Sequence, residues 1–346
     1  MFTKIKNKID RQLIAFVKDI DKNYSLNKLS PLLLKSIKDF VLRDGKRVRP
    51  ILFVIGYLGF AKKPAPKLYT SALSIELLHD FMLVHDDIID KSDTRRNKPS
   101  MHKMLNDYLK GFKKVKFNGQ DLSIVAGDVM YALAIRAFLS INVDMKRKEE
   151  GLKKLIEAAL YTGSGEFLEL VYSLKDIGKI TREDIYKVYD YKTAYYTFAC
   201  PLSTGAILAG VTKRQAELLF KYGIYLGRAF QIKDDILGMF SEEAKTGKSA
   251  LTDLREAKKT VLIWHAYNNS NRENKIKIKQ ILAKENAAIK DLLVMRKAII
   301  EAKSLDYAKK EVAGLLRKSQ DVLSLSRIKP RYKNILHHYA QQILTL

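Results

Sequence analysis

The sequence predicts an all-α chain, one large antiparallel helix bundle forming a single domain over residues 1–346. Three observations predict it. Proline and glycine are scarce, 7 and 17 in 346 residues, which suits long helices and not a many-stranded sandwich. Apolar residues recur at helical spacing through most of the chain, and no run alternates as a strand would. A 47% hydrophobic composition can bury a sizeable core.

The elements follow in order. Residues 5–20, 31–42, 50–60, 67–89, 122–141 and 151–174 read as helices, then 182–191, 213–240 and 260–267. The C-terminal third adds 272–284, 287–305 and 306–316, and a final helix over 328–343 beginning near Pro330. Thr181 with Asp184 resembles a capping box. The helix at 67–89 and the stretch 223–240 are apolar on most faces, so both should be central. Residues 106–120, rich in Lys and Gly, break the pattern and read as an exposed loop. No repeat or Pro/Ser-rich linker divides the chain.

The net charge is +25, from 63 basic against 38 acidic side chains. Such an excess attracts anions: nucleic acid, anionic lipid or phosphorylated metabolites. It is spread along the chain, with no zinc finger, RNP-like signature or basic zipper, so nucleic acid is not the expected partner. Cys200 is the only cysteine, which excludes an internal disulfide and suits a reducing cytoplasm. The first 21 residues do not read as a signal peptide. The longest apolar stretches, 51–61 and 197–212, fall short of the roughly 20 residues a transmembrane segment needs.

The strongest chemical signal is DDIID, Asp86–Asp90, which closes an apolar helical run. Asp86 and Asp90 share a helix face, and Asp87 stands one step round. Carboxylates clustered there oppose the helix dipole and call for a cation. Mg²⁺ takes such oxygens and bridges to phosphate. Asp234 and Asp235 form a second acidic pair in FQIKDDILGMF, and two such pairs suggest facing carboxylates that hold metal between them. Lys46 and Arg49 in GKRVRP, and Arg95 and Arg96 just after DDIID, place cations where a diphosphate would need them.

Glu76–Ser100, ELLHDFMLVHDDIIDKSDTRRNKPS, resembles the first aspartate-rich region of the trans-polyprenyl diphosphate synthases. FQIKDDILGMF resembles their second, and GKRVRP, KTA (Lys192–Ala194) and GKSALTDLREAKKT (Gly247–Thr260) fall in the family's order. The resemblance covers residues 33–264. It implies a helix bundle around a deep central cavity, a homodimer, and Mg²⁺-dependent condensation of isopentenyl diphosphate with an allylic diphosphate (dimethylallyl, geranyl or farnesyl). Asp86, Asp90 and Asp234 would be the metal ligands, supported by Asp87 and Asp235. Lys46, Arg49, His79 and Arg96 would hold isopentenyl diphosphate. Arg95, Lys192, Thr193, Gln231, Lys248 and Lys258 would hold the allylic diphosphate.

Phe81 and Met82, five and four residues before Asp86, would form the floor that limits chain length. That pair favours geranylgeranyl diphosphate (C20), with farnesyl diphosphate or a longer product as alternatives. Three positions depart from the family pattern: Gly238 replaces a third aspartate, Glu166 a glutamine, and Ala257 a glycine. A terpene cyclase would carry Asn and Ser or Thr ligands in its second motif, and a regulatory subunit tends to lose its aspartates.

Overall fold

The computed structural model describes residues 2–241 and 251–344. It is all-α apart from one two-stranded hairpin. Its helices sort into two compact units: Met1–Leu155 with Thr204–Val211, and Ile156–Ser203 with Thr212–Leu346.

In the first unit, α1 (Phe2–Tyr24) buries Ile5, Ile9, Leu13, Phe16, Val17 and Ile20 along one stripe. A single turn, α2 (Leu26–Leu29), leads to α3 (Pro31–Val41). Ser30 caps α3 and Pro31 starts it, where a missing N–H costs nothing. Helix α4 (Val48–Leu58) buries every residue from Pro50 to Tyr57. Helix α5 (Leu68–Ile89) is buried on most faces through Leu78, as its composition predicts.

After α6 (Met101–Leu109), α7 (Gly119–Leu139) opens on a capping box between Asn118 and Asp121 and runs antiparallel to α5. Ser71 Oγ donates to Phe138 O at 3.0 Å, the Phe81 and Tyr131 rings lie 5.3 Å apart, and His85 Nε2 sits 3.4 Å from Ile124 O. Among the described residues α7 is the one helix long and apolar enough to cross a membrane by length and composition, with 44% of that stretch buried in the protein.

In this unit two details differ from the sequence reading. Residues 106–109 belong to α6, so the exposed connection is the shorter 110–118. Thr94–Arg95 and Lys98–Pro99 pair as β1 and β2. Arg96 and Asn97 between them both have positive φ, 54° and 57°, as a type I′ turn requires. Strands two residues long are too short to show alternation. Arg43 holds the hairpin, donating to Arg95 O and Pro99 O at 3.1 and 2.8 Å.

In the second unit, the later part of α8 (Met145–Ser173) precedes α9 (Arg182–Val188), which carries the expected Thr181–Asp184 capping box. The chain then continues without a break through eleven residues of wider π-type turns, Tyr189–Ala199, into α10 (Cys200–Leu208), whose residues from Thr204 on belong to the first unit. Helix α11 (Lys213–Phe240) packs against the π segment, where Gly223 and Gly227 leave no room for a side chain. A Cβ on Gly227 would stand 2.4 Å from Ala194 Cα, and one on Gly223 2.4 Å from Ala199 Cα. Short helix α12 (Thr252–Arg255) and helices α13 (Val261–Asn269), α14 (Arg272–Leu282), α15 (Ile289–Glu301), α16 (Ser304–Ser324) and α17 (Pro330–Leu344) complete the unit. The break at 305/306 falls instead at Lys303, whose φ of 54° turns the chain, and α16 runs past residue 316.

Candidate active site

In the first unit the DDIID carboxylates divide their tasks. Asp90 caps α5, its N–H bonded to Asp86 O at 2.8 Å, so the two lie one turn apart. The Asp86 side chain is 20% exposed and Asp87 only 1%. Arg95 covers Asp87, donating through Nε at 2.7 Å and through Nη2, and reaches Asp86 at 3.4 Å. Burial works against the Arg95 charge, but the Asp87 bond and the three nearby carboxylates outweigh it and raise its pKa. Arg95 thus neutralises buried Asp87, whereas Asp86 and Asp90 are only partly buried.

One to three turns earlier on α5, Glu76, His79 and Asp80 form a second ionic cluster. Buried Arg47 donates to Glu76 at 2.8 Å, to Asp10 at 3.0 Å and to the carbonyls of Val41 and Arg43. Those acceptors fix the GKRVRP segment, and Arg47 itself takes a left-handed φ of 49°. Arg96 Nη2 donates to Asp80 at 3.1 Å. Asp80 has no exposed side-chain surface. Burial first, then Glu76, push its pKa up to about 7 against the pull of Arg96, Arg47 and Arg49. Burial, with Arg49 and Arg96 next, holds His79 well below the usual histidine range, so its imidazole is neutral. Arg49 is half-buried and Lys46 is exposed. Lys46 therefore lies outside the buried cluster that Arg47, Glu76, Asp80 and Arg96 form.

In the second unit, Lys192 and Thr193 stand on the π segment. Lys192 Nζ lies 2.6 Å from Glu166 and also contacts Glu169. Thr193 Oγ1 donates to Gln231 at 2.7 Å, and Gln231 donates to Asp235 at 3.0 Å. The Tyr189 hydroxyl donates to the other Asp235 oxygen and accepts the Val261 N–H at 3.0 Å. Burial and the neighbouring Asp235 raise the Tyr189 pKa well above the phenol range, which keeps it a donor. Asp234, one residue earlier, is exposed.

The two acidic pairs therefore share one plan: a more exposed first aspartate and a buried, hydrogen-bonded second. Lys258 pairs with Glu256 at 2.6 Å. Beside it, burial lowers Lys259 to about 8 despite Asp176. Ala257 has a φ of 49°, the conformation that glycine accepts without strain. Lys248, with the start of its run, lies outside the described residues.

In each unit the more exposed aspartates, Asp86 and Asp90 in the first and Asp234 in the second, offer hard carboxylate oxygens of the kind Mg²⁺ prefers. Phe81, the expected floor, packs 4.7 Å from the His85 ring and 5.3 Å from Tyr131. Met82 follows it, half-buried. Gly127 faces the same place, where a Cβ would meet His85 Nε2 at 2.6 Å. Sequence reasoning missed Arg47, Glu76, Asp80, Glu169 and Tyr189. The one available signal was two acidic residues inside the apolar run of α5, which only a cation could accommodate.

The profile of the polyprenyl synthetase family matches residues 30–299. The chain belongs to that family and is a prenyltransferase. It is 30% identical to the short chain isoprenyl diphosphate synthase of Methanocaldococcus jannaschii, over 88% of this chain and 84% of that one. It is also 30% identical to the geranylgeranyl diphosphate synthase of Sulfolobus acidocaldarius, over 86% and 85%. Among solved structures, the geranylgeranyl pyrophosphate synthase of Corynebacterium glutamicum, complexed with isoprenyl diphosphate and magnesium, superposes with a TM-score of 0.90 and 25% identity over 99% of both chains.

Proposed function

We propose that the chain is a short-chain trans-prenyl diphosphate synthase, acting in isoprenoid biosynthesis. It would extend dimethylallyl, geranyl and farnesyl diphosphate with isopentenyl diphosphate to geranylgeranyl diphosphate (C20). The observation that carries this reading is the shared plan of the two acidic pairs, the more exposed Asp86 and Asp234 beside buried Asp87 and Asp235. Asp86, Asp90 and Asp234 are the proposed magnesium ligands. Bound Mg²⁺ would neutralise the charge that builds on the departing diphosphate.

The side chains have distinct proposed tasks. Asp87 holds Arg95 in place, and Asp235 fixes Gln231. Lys46, Arg49, neutral His79 and Arg96 bind the diphosphate of isopentenyl diphosphate. Arg95, Lys192, Thr193, Gln231, Lys248 and Lys258 bind the allylic diphosphate. Loss of that diphosphate leaves an allylic cation, which the double bond of isopentenyl diphosphate attacks; the cation so formed loses a proton to the departed diphosphate, and no protein nucleophile takes part. Phe81 and Met82 set the chain length, and the geranylgeranyl names among the relatives support C20. The family match spans both units, which supports one catalytic domain. A cytoplasmic homodimer completes the reading.

Incubation of the protein with labelled isopentenyl diphosphate and each allylic primer tests it, with chromatography of the dephosphorylated products. A C20 product that EDTA abolishes and Mg²⁺ restores is expected. Free diphosphate released without chain extension would overturn it.

A further inference from the structure

The connection between α6 and α7 has a composition that catalysis does not explain. Every residue from 110 to 118 is exposed, nine in succession. Phe112, Val115 and Phe117 stand 55, 37 and 52% exposed, interleaved with Lys113, Lys114 and Lys116. Among the described residues, no carboxylate pairs with those three lysines, and residues 108–118 contain no acidic side chain.

The base of the loop is held firmly. Gly119 N donates to Asn106 Oδ1 at 2.7 Å, and the Asn118–Asp121 box caps α7. A Cβ on Gly119 would stand 2.2 Å from His102 O, so α6 and the start of α7 touch backbone to backbone. Antiparallel packing brings the first turns of α7 to the DDIID end of α5, where His85 approaches Ile124 O. A well-anchored base thus presents an apolar and basic tip at the aspartate end of this unit.

We propose that residues 110–118 dock the protein on an anionic lipid surface, the phenylalanines entering the headgroup boundary and the lysines pairing with lipid phosphates. Interleaved aromatic and basic side chains are the combination that binds such an interface. The chain's +25 charge adds a general attraction of the same sign. A reason for docking at this end rests on the function proposed above: a C20 diphosphate is itself a lipid and must pass from the protein to an apolar phase.

Co-sedimentation of the whole chain with sucrose-loaded vesicles, without substrate, tests the docking independently of catalysis. Vesicles of phosphatidylcholine alone are compared with vesicles containing one third phosphatidylglycerol. The wild-type chain should partition onto the anionic vesicles at least about tenfold better, since each lysine near such a surface contributes about fivefold. The double variant Phe112→Ser/Phe117→Ser and the triple variant Lys113→Ala/Lys114→Ala/Lys116→Ala should each lose most of that partition. Both should keep wild-type turnover on soluble substrates, which also shows that they fold. Equal binding to both vesicle types, or variants that partition like the wild type, would overturn the proposal. So would loss of the dimer in the variants by light scattering, which would assign the loop to a second copy. RNA binding that the variants abolish, with no vesicle binding, would assign it to nucleic acid.

Discussion

The chemistry of Asp80 depends on its being buried. The folded chain holds its proton up to about pH 7, whereas the unfolded chain releases it near 3.8, the ordinary aspartate value. Across that window the folded state binds the extra proton, so its stability falls as pH rises from about 4 to 7. Asn at this position does not titrate and still accepts from Arg96. Asp80→Asn should therefore flatten the pH dependence of the urea midpoint over this window, and parallel profiles for the two proteins would refute the assignment. Ala257 offers a simpler test. An L-residue in the left-handed region is strained by about 1–2 kcal/mol, part of which glycine's greater unfolded-state entropy offsets. Ala257→Gly should raise unfolding free energy by about 0.5–1 kcal/mol with turnover retained.

At the scale of elements, two helix contacts govern the site. Gly227 lets α11 approach the π segment that carries Lys192 and Thr193. In Gly227→Ala the new Cβ meets Ala194 backbone at 2.4 Å, and backbone cannot yield as a flexible side chain can. Overpacking of this kind costs about 1–3 kcal/mol. Urea denaturation should show that loss, and KM for the allylic substrate should rise as Lys192 and Thr193 shift. The second contact is α5 on α7. Phe81 lies five residues before Asp86, about 7.5 Å down the axis at 1.5 Å per residue, with His85 and Tyr131 against its ring. Phe81→Ala and Met82→Ala should each lengthen the product by at least one isoprene unit. An unchanged distribution in both variants would move the floor elsewhere.

At the scale of the whole molecule, the charge sets the response to salt. A net +25 repels itself, and ions screen that repulsion over about 10 Å at 0.1 M. Raising NaCl from about 20 to about 300 mM should raise Tm by a few degrees. A fall would mean that ion pairs such as Arg47–Glu76 and Arg228–Asp190 outweigh the repulsion.

The sequence by itself determined the helices, the α5 and α11 cores and the residues of both aspartate motifs. Periodicity and capping are local signals, and a run of carboxylates in apolar helix is conspicuous wherever it occurs. The resemblance already ranked Asp86 and Asp234 before Asp87 and Asp235; the tertiary structure supplied the physical difference, because neighbours in sequence point to different surroundings. It also decided that Arg47, and not Lys46, is the buried cation of GKRVRP. Its acceptors are Asp10, Val41, Arg43 and Glu76, and two of these lie more than 25 residues away in sequence. The π segment, too, was not legible in the sequence. Its turns match the backbone of α11 at Gly223 and Gly227, and nothing within Tyr189–Ala199 alone requires them. Local propensity forms the helices, but burial and long-range charge decide which side chain on each helix is buried and paired.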